Sequence, residues 1–275
     1  MVPTGVISEV IECVTWATEK RFSGSPISQQ FQLRYKSSIL IEEWTSVYVN
    51  PCETSFGYEE CDQYDTRYTE YLVKRNENGD ILGTIRTGPT TAPYMMKDHF
   101  SCVFGSGYSP PCSTKHHELS RMAINRDLLT REQSRSVTNE LLLAAQERGL
   151  QRGIEAYWGI VIEVVADKVF QRAGYDVKFT GSPIVYPNTG EYIYGVKLPV
   201  NEMVYHRCQK ISGIQKPVLN FGYDMNGRDY PILIHDSPLL SDEFFQSKIF
   251  EEEAGRKSIH RKNNTNQPQE MKKAV

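Results

Sequence analysis

The chain has 275 residues, 39% of them hydrophobic and 24% charged, which suits a soluble globular protein with one large domain and tails. Its formal net charge of −3 argues against general nucleic-acid binding by bulk electrostatics, although a local basic patch stays open. No run of about 18 apolar residues occurs, so no membrane-spanning helix is expected.

The opening MVPTGVISEVIECVTWATEKRF has no basic segment followed by an apolar block, so no secretory leader is expected. Within it, VISEVIECVTWATEKRF carries apolar residues at helical spacing and predicts a first helix. SPISQQFQLRYKSSILIEEW predicts a second, started by Ser25 or Ser28 with Pro26 in its first turn. EYLVKR and DILGTIRTG read as two strands joined by a tight turn at Asn78 and Gly79. ELSRMAI is a third strand. Thr130 followed by Gln133 makes a capping box that opens a long helix, stopped by Gly153. IEAYWGIVI is a strand, EVVADKVFQRAG a helix ending at Gly174, and EYIYGVKLPV a final strand. The order predicts an α/β or α+β fold with one sheet covered by helices, over residues 1–199. Residues 200–250 form an extension without an assigned job, in which NFGYDMNGRDYPILIHDSPLL alone looks structured. The polar stretch from about Glu251 to Val275 reads as a disordered tail.

The six cysteines, Cys13, Cys52, Cys61, Cys102, Cys112 and Cys208, form no CxxC pair. No zinc or other metal site is expected, and free thiols in a reducing cytoplasm are. Chemistry is sought instead in FGYEECDQYDTRY, which supplies Glu59, Glu60, Asp62 and Asp65. Clustered carboxylates repel one another and suit a site that meets a cation, unless the stretch is a solvated loop. Arg86, inside a strand, needs a partner if buried, and Asp62, Asp65 or Glu118 could supply it. In HHELSRMAI, Glu118 and Arg121 stand three apart. In a regular strand they point to opposite faces, and they share one only if a bulge re-aims one of them. Arg34 and Trp44 complete the candidates; an aromatic face such as Trp44 can hold a cation.

Taken in order, these segments resemble the LuxI-type acyl-homoserine-lactone synthases, the autoinducer synthases of quorum sensing. The family's opening Arg and Trp are similar to Arg34 and Trp44. Its acidic pattern is similar to Glu60, Asp62, Tyr64 and Asp65, and its strand arginine to Arg86. Pro93, Met95 and Phe100 follow in the expected order, then Glu118, Ser120 and Arg121, then Arg172, Gly174 and Tyr175. The resemblance spans roughly residues 28–199. One departure is Ser38, where the family has a phenylalanine that helps wall the site for S-adenosylmethionine.

The resemblance implies a fold related to the GNAT acetyltransferases, with a mixed twisted sheet whose central strands splay to hold a pantetheine arm. It implies S-adenosylmethionine as a substrate, no cofactor, and an acyl group on acyl carrier protein or coenzyme A. The amine of S-adenosylmethionine attacks the thioester, and its carboxylate then closes the lactone and expels methylthioadenosine. Glu118, Asp62 and Asp65 are candidate bases. Arg34 and Arg121 are candidate carboxylate clamps, and Trp44 and Phe100 further contacts of S-adenosylmethionine. Arg86 is placed in a structural ion pair, and Ser120 beside both charged neighbours. Ile160, Leu119 and Met122 are expected in the acyl pocket. Ile160 offers no hydroxyl, which favours a chain without a 3-oxo group. Arg148, Arg152, Lys168, Arg172 and Lys178 are expected to present a basic face to an acidic carrier protein.

Two other readings stand beside this one. A GNAT N-acetyltransferase would cradle coenzyme A with a glycine-rich loop, and INRDLLTREQSRSVTNEL holds no glycine. A non-catalytic homologue that binds a carrier protein is the other.

Overall fold

The computed structural model describes residues 11–15, 24–41, 51–55, 57–186 and 190–220. The first element among the described residues is a strand, β1 (Ile11–Thr15), where the helix expected over residues 6–22 would run. The reason is tertiary. IECVT pairs antiparallel with β4 (Glu70–Arg75) along its whole length, from Ile11 opposite Lys74 to Thr15 opposite Glu70. Its β-branched residues suit that ladder better than a helix. The rest of the expected helix, and Trp44, lie outside the described residues.

Helix α1 (Pro26–Tyr35) begins as expected: the Ser25 hydroxyl caps it by accepting from the Ser28 N–H. It continues as a π-helical turn over Lys36–Ile41. The acidic stretch, expected as a loop before the first strand, is partly a hairpin of β2 (Pro51–Thr54) and β3 (Gly57–Glu60). Then β4 and β5 (Ile81–Pro89) form the expected hairpin, with Gly79 in the left-handed region at φ 84°. A short helix, α2 (Met95–Phe100), precedes β6 (His116–Ile124). The capping box of Thr130 and Gln133 opens α3 (Arg131–Arg152), and Gly153 ends it in the left-handed conformation. After β7 (Ala156–Ile162), the expected helix is one α-turn, α4 (Glu163–Val165), extended as a π-turn over Ala166–Gln171. Two short strands, β8 (Lys178–Phe179) and β9 (Ile184–Val185), precede β10 (Tyr192–Pro199).

Residues 200–220, expected within the extension, pack into the same core. Helix α5 (Glu202–Ser212), capped by Asn201, buries Val204 and Cys208, and β11 (Leu219–Asn220) runs parallel to β1. The sheet order is β11-β1-β4-β5-β6-β7-β10-β8, with β9 on β10.

Alternation along each strand sorts the core into two faces. Leu72 packs with Leu141 and Leu142 of α3, while its neighbours Tyr71 and Val73 pack with Ile27 and Phe31 of α1. Farther along the α1 side, α2 covers β7, where Met96, Phe100 and Trp158 cluster.

The parallel pair β6–β7 is short. Its rungs run from His116 opposite Ala156 to Glu118 opposite Trp158 and then stop, although both strands continue. At the next position glycine is required, because a side chain on Gly159 would meet the Leu119 carbonyl oxygen at 2.9 Å. Glu118 therefore sits on the last rung before the two strands part. No described helix is long and apolar enough to cross a membrane.

Candidate active site

Six of the expected residues converge on the α1 side of the sheet. Arg34 reaches down from α1. Its Nε donates to Glu60 at 2.6 Å, and Nη1 and Nη2 donate to Asp65 at 2.8 and 2.9 Å. Arg86, from β5, donates through Nη1 to Asp62 at 2.6 Å and to Asp65 at 3.0 Å. Arg121, from β6, donates to Asp62 through Nε at 3.1 Å and Nη2 at 2.7 Å. The Arg34–Asp65 pair is bidentate, two nitrogens on two oxygens, which fixes both partners in one plane.

The lattice is buried. Arg34 is 1% exposed, and Glu59, Glu60, Asp62, Asp65 and Arg86 are also buried. The solvated-loop reading of the acidic stretch is thus overturned. Backbone donors hold the stretch in place as well: the Asp62 N–H donates to Asp65 and the Tyr64 N–H to Asp62.

A bulge explains how Arg121 joins. Across β5–β6, Thr84 faces Ala123 but Arg86 faces Ser120, so Arg121 and Met122 together oppose Ile85. Arg121 has φ 53°, the only positive φ among the described residues other than glycine. Leu119, Met122 and Ile124 pack toward α3, whereas Ser120, Arg121 and Ala123 face α1. The bulge condition is met, and Glu118, Ser120 and Arg121 share a face.

Glu118 differs from the aspartates. It accepts from the Met96 N–H at 2.7 Å and from the Ser120 hydroxyl at 3.4 Å. Its nearest guanidinium nitrogen, Arg86 Nη2, stands 4.0 Å away and has no hydrogen-bond partner. Burial raises the Glu118 pKa above its ordinary value, only partly opposed by Arg86 and the backbone donors. For Asp65, Arg34 and Arg86 outweigh burial and hold the carboxyl far below the usual carboxylate range. Two carboxylates on one site thus carry opposite tendencies: Asp65 stays charged, and Glu118 can exchange a proton.

Other expected residues fall elsewhere. Phe100 lies at the end of α2 in the cluster with Trp158. Leu119 and Met122 pack toward α3, whereas Ile160 packs with Trp158 on the opposite face, so the three do not line one wall. Arg148 is not on a carrier-facing surface. It is buried and donates to Glu70 at 2.7 and 2.8 Å, with Arg152 3.6 Å from the same carboxylate. Lys168, Arg172 and Lys178 are exposed.

Sequence reasoning missed two members of the site. The Tyr71 hydroxyl donates to Asp65 at 2.9 Å, and the Met96 N–H holds Glu118. Tyr71 looks like any core aromatic in EYLVKR, and a backbone N–H leaves no mark in a sequence.

Comparison with known proteins places this geometry in a family. Residues 26–208 match the family model described as autoinducer synthase. An acyl-homoserine-lactone synthase of Vibrio anguillarum is 30% identical over 172 residues, covering 62% of this chain and 84% of that protein. One from Ralstonia solanacearum is 35% identical over 120 residues, covering 43% of this chain and 58% of its own length. Among solved structures, the CoA-dependent acyl-homoserine lactone synthase BjaI, with SAM and isopentyl-CoA, has a TM-score of 0.66 at 22% identity. That likeness covers 77% of this chain and 92% of BjaI. The synthase LasI has a TM-score of 0.59 at 22% identity, covering 73% and 94%. These likenesses show the fold.

Proposed function

The chain belongs to the autoinducer synthase family, and from that premise we propose that it makes an acyl-homoserine lactone from S-adenosylmethionine and an acyl thioester. The thioester is carried by acyl carrier protein or coenzyme A. The observation that carries the reading is Glu118, a buried carboxylate with a raised pKa at the parting of β6 and β7, beside a lattice of arginines and carboxylates.

Charge supports it. Arg34, Arg86 and Arg121 face Glu60, Asp62, Asp65 and Glu118. With every carboxylate ionised, this set carries one surplus negative charge. S-adenosylmethionine, with an ammonium, a sulfonium and a carboxylate, brings one surplus positive charge.

The chemistry follows. Glu118 takes a proton from the ammonium, directly or through water, and the freed amine attacks the thioester carbonyl. The C–N bond forms and the C–S bond breaks. The nitrogen gives up a second proton as it becomes the amide, the departing thiolate takes up that proton, and Glu118 releases the first to solvent. The substrate carboxylate then attacks its own γ-carbon. That carbon's bond to sulfur breaks, the electron pair stays on sulfur, and methylthioadenosine departs from the lactone.

Arg34, expected as a carboxylate clamp, donates through Nε, Nη1 and Nη2 within the lattice. Its role is to order Glu60 and Asp65. Arg86 Nη2 is the guanidinium nitrogen left to meet a substrate oxygen. The exposed Lys168, Arg172 and Lys178 form the face offered to an acidic carrier protein.

The test is purified protein with S-adenosylmethionine and a panel of acyl-carrier-protein and acyl-coenzyme A thioesters of increasing chain length, read by mass spectrometry. Lactone and methylthioadenosine appearing together are the expected result. Thioester consumption without methylthioadenosine would replace the reading by a plain N-acyltransferase.

A further inference from the structure

Beneath α1 lie hydrogen-bonding groups that the ion lattice does not use. Gln30 is fully buried, yet neither its amide oxygen nor its amide nitrogen has a hydrogen-bond partner. Thr84 is 1% exposed, and its hydroxyl is also unpaired. Both belong to the side of the sheet where the lattice sits. Thr84 precedes Arg86 by two residues on β5 and shares its face. Gln30 precedes Arg34 by one helical turn, about 6 Å along the axis, and shares its stripe. The Arg34 guanidinium leans back along α1 over the Phe31 ring, 5.1 Å from its centroid, toward the turn that holds Gln30.

A buried amide with donor and acceptor both unpaired is unfavourable, and native proteins rarely keep one without a use. The proposed reaction supplies a use. The ammonium, sulfonium and carboxylate of S-adenosylmethionine are the parts that a lattice of charges can hold. Its purine is uncharged and presents a donor beside an acceptor. Among side chains, a glutamine amide matches that edge in one plane, with its oxygen on the N6 amine and its nitrogen on N7.

We propose that Gln30 reads the adenine of the bound S-adenosylmethionine through these two hydrogen bonds, with the Thr84 hydroxyl as a neighbouring polar contact. The inference rests on the function proposed above and adds the group that selects the base. A purine with oxygen at position 6 offers two acceptors on the same edge, and the Gln30 oxygen then meets an acceptor instead of a donor.

The test is calorimetry on the full chain with methylthioadenosine and methylthioinosine, alongside thermal melting. The unmodified protein is expected to bind methylthioadenosine about tenfold more tightly or better. Gln30→Leu is expected to bring the two affinities together while melting no lower, because it removes an unpaired buried amide. Should that variant not fold, Gln30→Met, which keeps the side-chain length, is measured instead. Equal binding of both nucleosides by the unmodified protein, or an undiminished ratio in the variant, overturns the inference and leaves the proposed function standing. Failure to bind either nucleoside or S-adenosylmethionine overturns both.

Discussion

The Arg121 guanidinium lies 2.7 Å from the Asp62 carboxylate, 59 positions earlier in the chain, and reaches it from a backbone held at φ 53°. A left-handed backbone costs a residue other than glycine about 1–2 kcal/mol, so the strand carries local strain at the site. Arg121→Gly and Arg121→Ala remove the same charge and differ only in backbone freedom. Chemical denaturation should find the glycine variant more stable by about 1 kcal/mol. Equal stabilities would show that the bulge relaxes once the ion pair is gone.

Glu118 should set the acid limb of the pH–rate profile. Its pKa is raised above the ordinary 4.5, so the active carboxylate form appears only as pH rises through that higher value. Glu118→Gln should lower kcat by about 100-fold or more. The sign for stability is opposite. A raised folded pKa gives stability that is present below 4.5 and lost as pH rises through the folded value. At neutral pH the glutamine variant should therefore melt higher than the unmodified protein. An acid limb below 4.5, or a lower melting temperature, would remove Glu118 as the base.

Asp65 should behave as a structural anion. Removing its charge leaves Arg34 and Arg86 short of a buried partner, and Asp65→Asn should cost about 3–5 kcal/mol in denaturant unfolding. Its depressed pKa gives stability that is present above the ordinary 3.8 and lost only as pH falls through the lower folded value. Ellipticity followed on acidification should accordingly place the contribution of Asp65 to acid unfolding well below pH 3.8. Asp176→Asn, in the part-exposed pair with Arg207, is the control and should cost about 1 kcal/mol or less.

The basic residues should separate by burial. Lys168→Ala with Arg172→Ala should lower kcat/KM for an acyl-carrier-protein donor about tenfold at low salt, with little change for acyl-coenzyme A or in melting temperature. Arg148→Ala should do the reverse. It strands the buried Glu70 carboxylate and should lower stability by about 3–5 kcal/mol. A double variant indifferent to donor and salt would show that the carrier protein docks elsewhere.

The sequence by itself determined what local physics governs. Asn78 and Gly79 made the β4–β5 turn, the capping box opened α3, Gly153 ended it, and alternation marked β5 and β6. Each signal involves residues within a few positions of one another, so the chain carries it openly. Tertiary structure decided what depends on partners far away in sequence. Residues 11–15 are apolar at spacings that fit a helix or a strand, and the β4 ladder made them a strand. The acidic stretch could have been a solvated loop, but arginines from α1, β5 and β6 buried it. Arg148 looked like a surface cation until Glu70, 78 residues earlier, took it inside. Glu118 and Arg121 illustrate the division best. Their spacing posed the condition that a bulge must exist, and only the register between β5 and β6 could meet it, because a bulge belongs to a pair of strands and not to either one.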